Sequence, residues 1–381
     1  MNDKSDFPSS ITLPDFDGLS KDIAANIEDI FEVHSVRHRR AESMPGPFVA
    51  NGGVVLDFLG WLRVPSEQAY QLVASYLRDR GYIALFRKSA DQDVITAVPG
   101  ELPTASPRVG LALIMFLLTL LSVLWIGAEQ EQSLDSLSGL LSGWPFAASL
   151  LGILLAHEFG HYLVSRHYGV STSLPYFIPM PLSLLGTLGA VIQMKAPPKN
   201  RRQLLAIGAA GPLAGFAVAL PLLIVGLHLS EIQSVPVGIP FVQEGNSLLY
   251  AGLKILLFGR FLPAGGEDVF LHPVAMAAWT GLLVTGLNLI PAGQLDGGHI
   301  AYALLGDRAR SLTWAIIAVL VGLSFLWNGW LVWAALIFVF GRRHAIPLDD
   351  ITQLRTRERV FVALLLAIWI LVFTPIPITI G

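Results

Sequence analysis

From residue 109 onward, long apolar runs with almost no charge alternate with short polar stretches, whereas the first hundred residues follow a different rhythm. Runs at 109–127, 147–164, 204–229, 274–290 and 360–373 have the length and composition of membrane-crossing helices, since each residue rises about 1.5 Å and the hydrocarbon is about 30 Å thick. Two shorter runs, 312–327 and 330–340, are separated by Asn328-Gly329 and predict either a tight two-helix hairpin or a partly re-entrant one. The pattern therefore predicts about seven spans. A further apolar stretch, 247–257, predicts a helix lying on or dipping into one membrane face.

Before the first run, the short apolar stretch Val54 to Leu59 looks like a strand, and Ala69, Leu72, Val73, Tyr76 and Leu77 recur at helical spacing. Pro65-Ser66 opens that helix and Gly81 closes it. Two short strands follow at 82–87 and 94–98, then a linker at 99–107 rich in Pro, Ser and Thr. This reads as a small soluble α+β domain over 46–107. Residues 1–45 are polar and mixed in charge, without the apolar core of a secretory signal, and predict a partly disordered start. The remainder divides into a membrane core at 108–345, then a loop and last helix at 346–381.

Composition agrees with the class. Hydrophobic residues make up 53% of the chain, charged residues 14%, and mean hydropathy is +0.60; soluble proteins average about 25% charged. The net charge of −3 points to no particular partner. The basic residues are unevenly placed: Lys195, Lys199, Arg201, Arg202, Arg308, Arg310, Arg342, Arg343, Arg355, Arg357 and Arg359 fall in alternate loops, against Lys254 and Arg260 in the 230–271 segment. The positive-inside rule then puts the N-terminal domain and these loops on the cytosolic side, or its equivalent at an internal membrane. The chain has no cysteine, so a metal must be held by His, Asp or Glu.

One apolar run carries chemistry. It contains His157-Glu158-Phe159-Gly160-His161, with two imidazoles four positions apart on one helix face, able to share a zinc ion. Glu158 beside them can take a proton from water at a metal that lowers its pKa to about 7. Ionisable groups inside a membrane run are costly and read as functional. A third ligand is needed, and Asp296 in Asn288-Leu289-Ile290-Pro291-Ala292-Gly293-Gln294-Leu295-Asp296-Gly297-Gly298 falls at the same depth as the histidines. Its proline and glycines break the helix there, which is tolerated only where the backbone lines a cavity or is buried in protein. His299 is a weaker ligand candidate.

These motifs resemble the site-2 proteases, a family of intramembrane zinc metalloproteases. The likeness rests on His157 to His161, on Asn288 to Gly298, and on the small-residue stretch Gly208 to Gly215 between them. Tyr176-Phe177-Ile178-Pro179 and Gly186 to Ile192 resemble the plastid and cyanobacterial branch, and the 230–271 segment is too short for a PDZ domain. The resemblance implies His157, His161 and Asp296 as zinc ligands, Glu158 as general base, and Asn288 as a substrate-binding or oxyanion group. A helix–helix hydrogen bond is the other role open to Asn288. The resemblance also implies a re-entrant β-hairpin near 186–194 whose edge pairs with an unwound substrate. Gly208, Gly211 and Gly215 read as close-packing positions without chemistry.

The function expected is cleavage of transmembrane helices in membrane-tethered proteins, with the bilayer and those substrates as partners and neither nucleic acid nor nucleotide. Two alternatives stay open: a membrane metalloprotease of another family, whose third ligand is commonly glutamate, and a metal-binding secondary transporter.

Overall fold

The computed structural model describes residues 16–40, 53–89, 91–104, 107–131, 136–236, 241–341 and 345–380. It divides into two units, Met1–Leu102 with Leu348–Thr352, and Pro103–Pro347 with Gln353–Gly381.

The first unit runs α1 (Phe16–Ile27), β1 (Phe31–Arg40), β2 (Val54–Leu62), α2 (Ser66–Arg78), β3 (Tyr82–Ser89) and β4 (Gln92–Pro99). Its strands form one antiparallel sheet in the order β1-β2-β4-β3. On α2, Ala69, Tyr70, Val73 and Leu77 are buried. They pack with Phe31, Phe58 and Phe86 from the sheet and Ile23 and Ile27 from α1. Asp57, buried in the sheet, receives Arg39 Nε at 2.6 Å, Arg39 Nη2 at 2.9 Å and Thr96 Oγ1 at 2.7 Å.

The start of the chain departs from expectation, because α1 and β1 occupy residues that read as partly disordered. A register shift between Val33 and Ser35 explains why β1 was hidden. The bulge moves the inward positions by one, so Phe31, Val33 and Val36 no longer alternate strictly. Residues 1–15 lie outside those described.

The segment 348–352 also belongs to this unit. Leu348 is buried in its core, Phe86 N donates to Leu348 O at 2.8 Å, and Asp350 N donates to Phe86 O at 3.1 Å. Asp349 is 1% exposed and accepts from Ser66 Oγ at 2.8 Å and from the amides of Ile351 and Thr352. The otherwise open edge of β3 is thus covered by chain from far downstream.

The second unit begins with α3 (Val109–Gln130), α4 (Leu137–Ser142), α5 (Trp144–His167), β5 (Tyr176–Met180), β6 (Gly186–Val191) and α6 (Arg201–His228). Then come β7 (Glu231–Ser234), β8 (Val242–Glu244), α7 (Leu248–Phe258), β9 (Glu267–Phe270), α8 (Pro273–Asn288) and α9 (Asp296–Leu305). It ends with α10 (Arg308–Leu323), α11 (Gly329–Phe340), α12 (Thr356–Val372) and β10 (Ile378–Ile380). Among the described residues, α3, α5 and α6 are the helices long and apolar enough to cross a membrane. At 22, 24 and 28 residues they reach about 33 Å or more. Helices α8, α10 and α12 stop at 16, 16 and 17 residues, close to the lengths of the apolar runs that predicted them. Leu113, Ile114, Leu117 and Leu121 of α3 are exposed, as side chains meeting lipid would be.

Local signals set the ends of these helices. Asn200 caps α6 by accepting from the amides of Arg202 and Gln203, both at 3.1 Å, and Ser247 caps α7 through Tyr250 N. Helix α7 forms over the apolar stretch 247–257 that predicted a helix, and its Lys254 is fully buried between Glu244 and Asp268 at 3.8 and 3.6 Å. β5 and β6 form a two-stranded antiparallel hairpin against α3, where Ser122 Oγ donates to Gly186 O at 2.6 Å. Helices α5, α6 and α8 pack on one another and build the frame of the site.

Candidate metal centre

Helix α5 carries His157, Glu158 and His161; its partner α6 presents glycines on the facing side. A Cβ on Gly211 would sit 2.0 Å from His161 Nε2, and one on Gly215 would be 3.2 Å from the Cβ and Nδ1 of His157. Only hydrogen at 211 leaves room for the His161 ring. These glycines, expected to serve packing alone, clear the space the imidazoles occupy. Across the same groove, Gly281 of α8 lets Ile153 of α5 approach to 2.8 Å of where a Cβ would lie.

The third group comes from the break between α8 and α9. Helix α8 ends at Asn288, the chain reverses through Leu289 to Leu295 with Gly293 at φ +60°, and α9 starts on Asp296. Gly297 and Gly298 are forced by crowding: a Cβ on the first would lie 2.1 Å from Leu289 O and on the second 2.3 Å from Gly293 O. Thr313 Oγ1 of α10 accepts from Gly293 N at 3.2 Å and steadies the turn.

Three side chains meet there. His157 Nε2 is 3.2 Å from Asp296 Oδ2, His161 Nε2 is 3.2 Å from Asp296 Oδ1, and the two Nε2 atoms are 3.3 Å apart. Among the described residues this is the group of His, Asp and Glu close enough to hold a metal ion. A tetrahedral zinc with bonds of about 2.0–2.1 Å spaces its ligands about 3.3–3.4 Å apart, so the triangle fits one face of such a site. His161 Nδ1 lies 2.8 Å from Ile207 O, which holds Nδ1–H as donor and leaves the Nε2 lone pair facing Asp296. Glu158 follows His157 in the same turn and is 7% exposed. Asn288 also reaches the group, its Nδ2 3.3 Å from His157 Nε2. His299 is outside the metal-sized group; it packs near Gly208, whose Cβ would lie 3.0 Å from its own.

Comparison with known proteins bears on the same residues. Residues 145–328 match Peptidase family M50. The chain is 37% identical over 238 residues to the "Probable zinc metalloprotease EGY2, chloroplastic" of Arabidopsis thaliana, covering 62% of this chain and 42% of that protein. It is 31% identical over 318 residues to the protein of the same name from Oryza sativa subsp. indica, covering 79% and 57%. The chain thus spans about half the length of the curated relatives it matches. The solved "Site-2 Protease from Methanocaldococcus jannaschii" aligns at 19% identity with a TM-score of 0.31, over 62% of this chain and 91% of that one. Residues 145–328 are therefore a peptidase family M50 domain, and the chain is a homologue of the chloroplastic EGY zinc metalloproteases.

Proposed function

We propose that this chain is an intramembrane zinc endopeptidase that cuts transmembrane segments of membrane-tethered proteins. The observation that carries the reading is the triangle of His157, His161 and Asp296, buried among apolar helices with Glu158 beside it. The two imidazoles and the carboxylate are a borderline-soft donor set suited to zinc. A glutamate as third ligand, the mark of another metalloprotease family, has no counterpart in that group.

In this mechanism His157, His161 and Asp296 hold the ion. Zinc, when bound, polarises the scissile carbonyl and makes water acidic enough to attack it near neutral pH. Glu158 takes the proton of the attacking water and delivers it to the leaving amine. Asn288 Nδ2 donates a hydrogen bond to the carbonyl oxygen as charge builds on it, since a lone pair of His157 engaged by metal no longer accepts one. The β5–β6 hairpin acts as a re-entrant element: a substrate helix hides its carbonyls in its own hydrogen bonds, and pairing along β6 holds an unwound strand open. Exposed Leu188 and Val191 on β6 give that strand an apolar grip.

The chain crosses the membrane about seven times in this reading. Helices α8, α10, α11 and α12 join the three long ones, with tilt and local thinning accommodating their shorter length. The N-terminal unit and the basic loops share the positive side.

The test is cleavage of a panel of single-span membrane proteins by the purified full chain in detergent, with fragments read by mass spectrometry. Wild type should cut within the span, and Glu158→Gln should lose at least about 10²-fold in rate while keeping its zinc. Equal rates in the two would remove Glu158 from the reaction.

A further inference from the structure

Apart from the metal centre, the segment between α6 and α8 carries a second buried group of charges. Glu244 at the end of β8, Tyr250 and Lys254 of α7, and Asp268 of β9 are all buried. Lys254 Nζ is 3.8 Å from Glu244 Oε1, 3.6 Å from Asp268 Oδ1 and 4.5 Å from the centre of the Tyr250 ring. It makes no hydrogen bond to any described residue. Burying an ammonium is costly, and the two carboxylates are what offset it.

The charges do not balance. Two carboxylates face one ammonium, so with all three ionised the group holds one surplus negative charge out of reach of solvent. A single proton removes the surplus. Asp268 accepts from Gln243 Nε2 and from Val269 N, both at 2.8 Å, and lies nearer the ammonium. Glu244 accepts the Tyr250 hydroxyl at 2.7 Å and lies farther off. The carboxyl farther from the ammonium is the cheaper one to neutralise. Burial pushes the Glu244 carboxyl above its ordinary value, outweighing Tyr250 and Lys254, which pull it down.

Glu244 also stands where the chain is fastened. It pairs with Ile378 in the β8–β10 ladder. The next residue, Gly245, donates its N–H to Pro377 O at 2.8 Å and accepts from Trp279 Nε1 of α8 at 3.0 Å. A Cβ on Gly245 would lie 1.8 Å from Ile376 O, so the residue is seated directly against the segment that follows α12. Helices α7 and α8 both pack on α12. Among the described residues, the charged or titratable groups facing Glu244 are Tyr250 and Lys254 from α7 and Asp268 from β9. From β10 comes Thr379, on Gln243 Oε1, and from α8 the Trp279 ring.

We propose that this cluster is a proton-operated latch: uptake of a proton by Glu244 tightens the seam between β8 and β10, and its loss loosens it. Because the folded chain binds that proton more tightly than the unfolded one, the seam loses stability as pH rises from the ordinary glutamate range through the raised one, and regains it in acid. The latch thereby sets how firmly α12 is held at its β10 end.

Hydrogen exchange of the Gly245 amide in the full chain, in neutral detergent at about pH 5 and about pH 8, tests this once the intrinsic rate's own pH dependence is divided out. Wild type should be protected about threefold or more better at the lower pH. Glu244→Gln, of the same shape and always neutral, should keep the higher protection at both. Asp268→Asn, which removes the surplus charge from the other carboxyl, should flatten the response likewise. Glu267→Gln removes the charge next to Asp268 in sequence, whose partner is Arg260 at 2.6 Å, and should respond as wild type does. Equal protection of wild type at the two pH values, a response in Glu244→Gln as large as that of wild type, or a response lost as fully in Glu267→Gln would each overturn the latch.

Discussion

Gly211 shows how far a residue without a side chain can govern a metal site. Its missing Cβ is the space in which the His161 ring lies, so Gly211→Ala should displace that imidazole and lower zinc affinity about tenfold or more, comparable to losing an orienting contact. Zinc per chain, measured by inductively coupled plasma mass spectrometry after gel filtration at limiting metal, checks this. Gly152→Ala on α5, where a Cβ would meet nothing within 4 Å, should bind zinc as wild type does and change stability by about 1 kcal/mol or less. Much of the site was legible in the chain: histidines at i and i+4 with a glutamate, set in an uncharged run, mark themselves. Asp296 and Asn288 needed an argument about depth and a family resemblance, because 127 or more residues separate them from the motif on α5. The service of Gly211 was not legible at all. A glycine in a membrane run announces close approach, but which side chain fills the gap depends on the register between α5 and α6.

Among the elements, the three helices long and apolar enough to cross a membrane were readable because apolar runs leave little else to form, and so were β2, β3 and β4, while several other strands were not. β1 is polar and broken by a bulge, and β7, β8, β9 and β10 are three or four residues long, too short for a period to show. The segment 348–352 reads as an ordinary loop, yet Asp349 fastens it through Ser66 and two amides. Asp349→Ala removes an acceptor that three or more donors share, which should destabilise the first unit by about 2 kcal/mol. Hydrogen exchange at the Phe86 amide, which donates to Leu348 O, should speed up by about thirtyfold as that edge opens. Unchanged protection at Phe86 would show that Leu348 burial alone holds the strand.

At the scale of the whole molecule, a metal held as proposed by His157 and His161 of α5 and Asp296 of α9 would tie four helices together, since α6 and α8 wall the group. Binding to the folded chain only, zinc adds about 2.7 kcal/mol at a hundredfold excess over its dissociation constant. Chelation should therefore lower the thermal midpoint by about 3 °C, and added zinc should restore it. His161→Ala, with the triangle broken, should show no such chelator-dependent shift; a shift of wild-type size in that variant would move the metal elsewhere. The edge of β3 carries one more consequence, which concerns biosynthesis. Its cover arrives 261 residues after Arg87, the distance between Arg87 and Leu348 along the chain. At about 5–20 residues per second the ribosome takes roughly 10 to 50 s to make that stretch. The N-terminal sheet therefore waits through the insertion of most membrane helices with one strand open, and a chain released before residue 348 would carry that bare edge permanently, a template for aggregation.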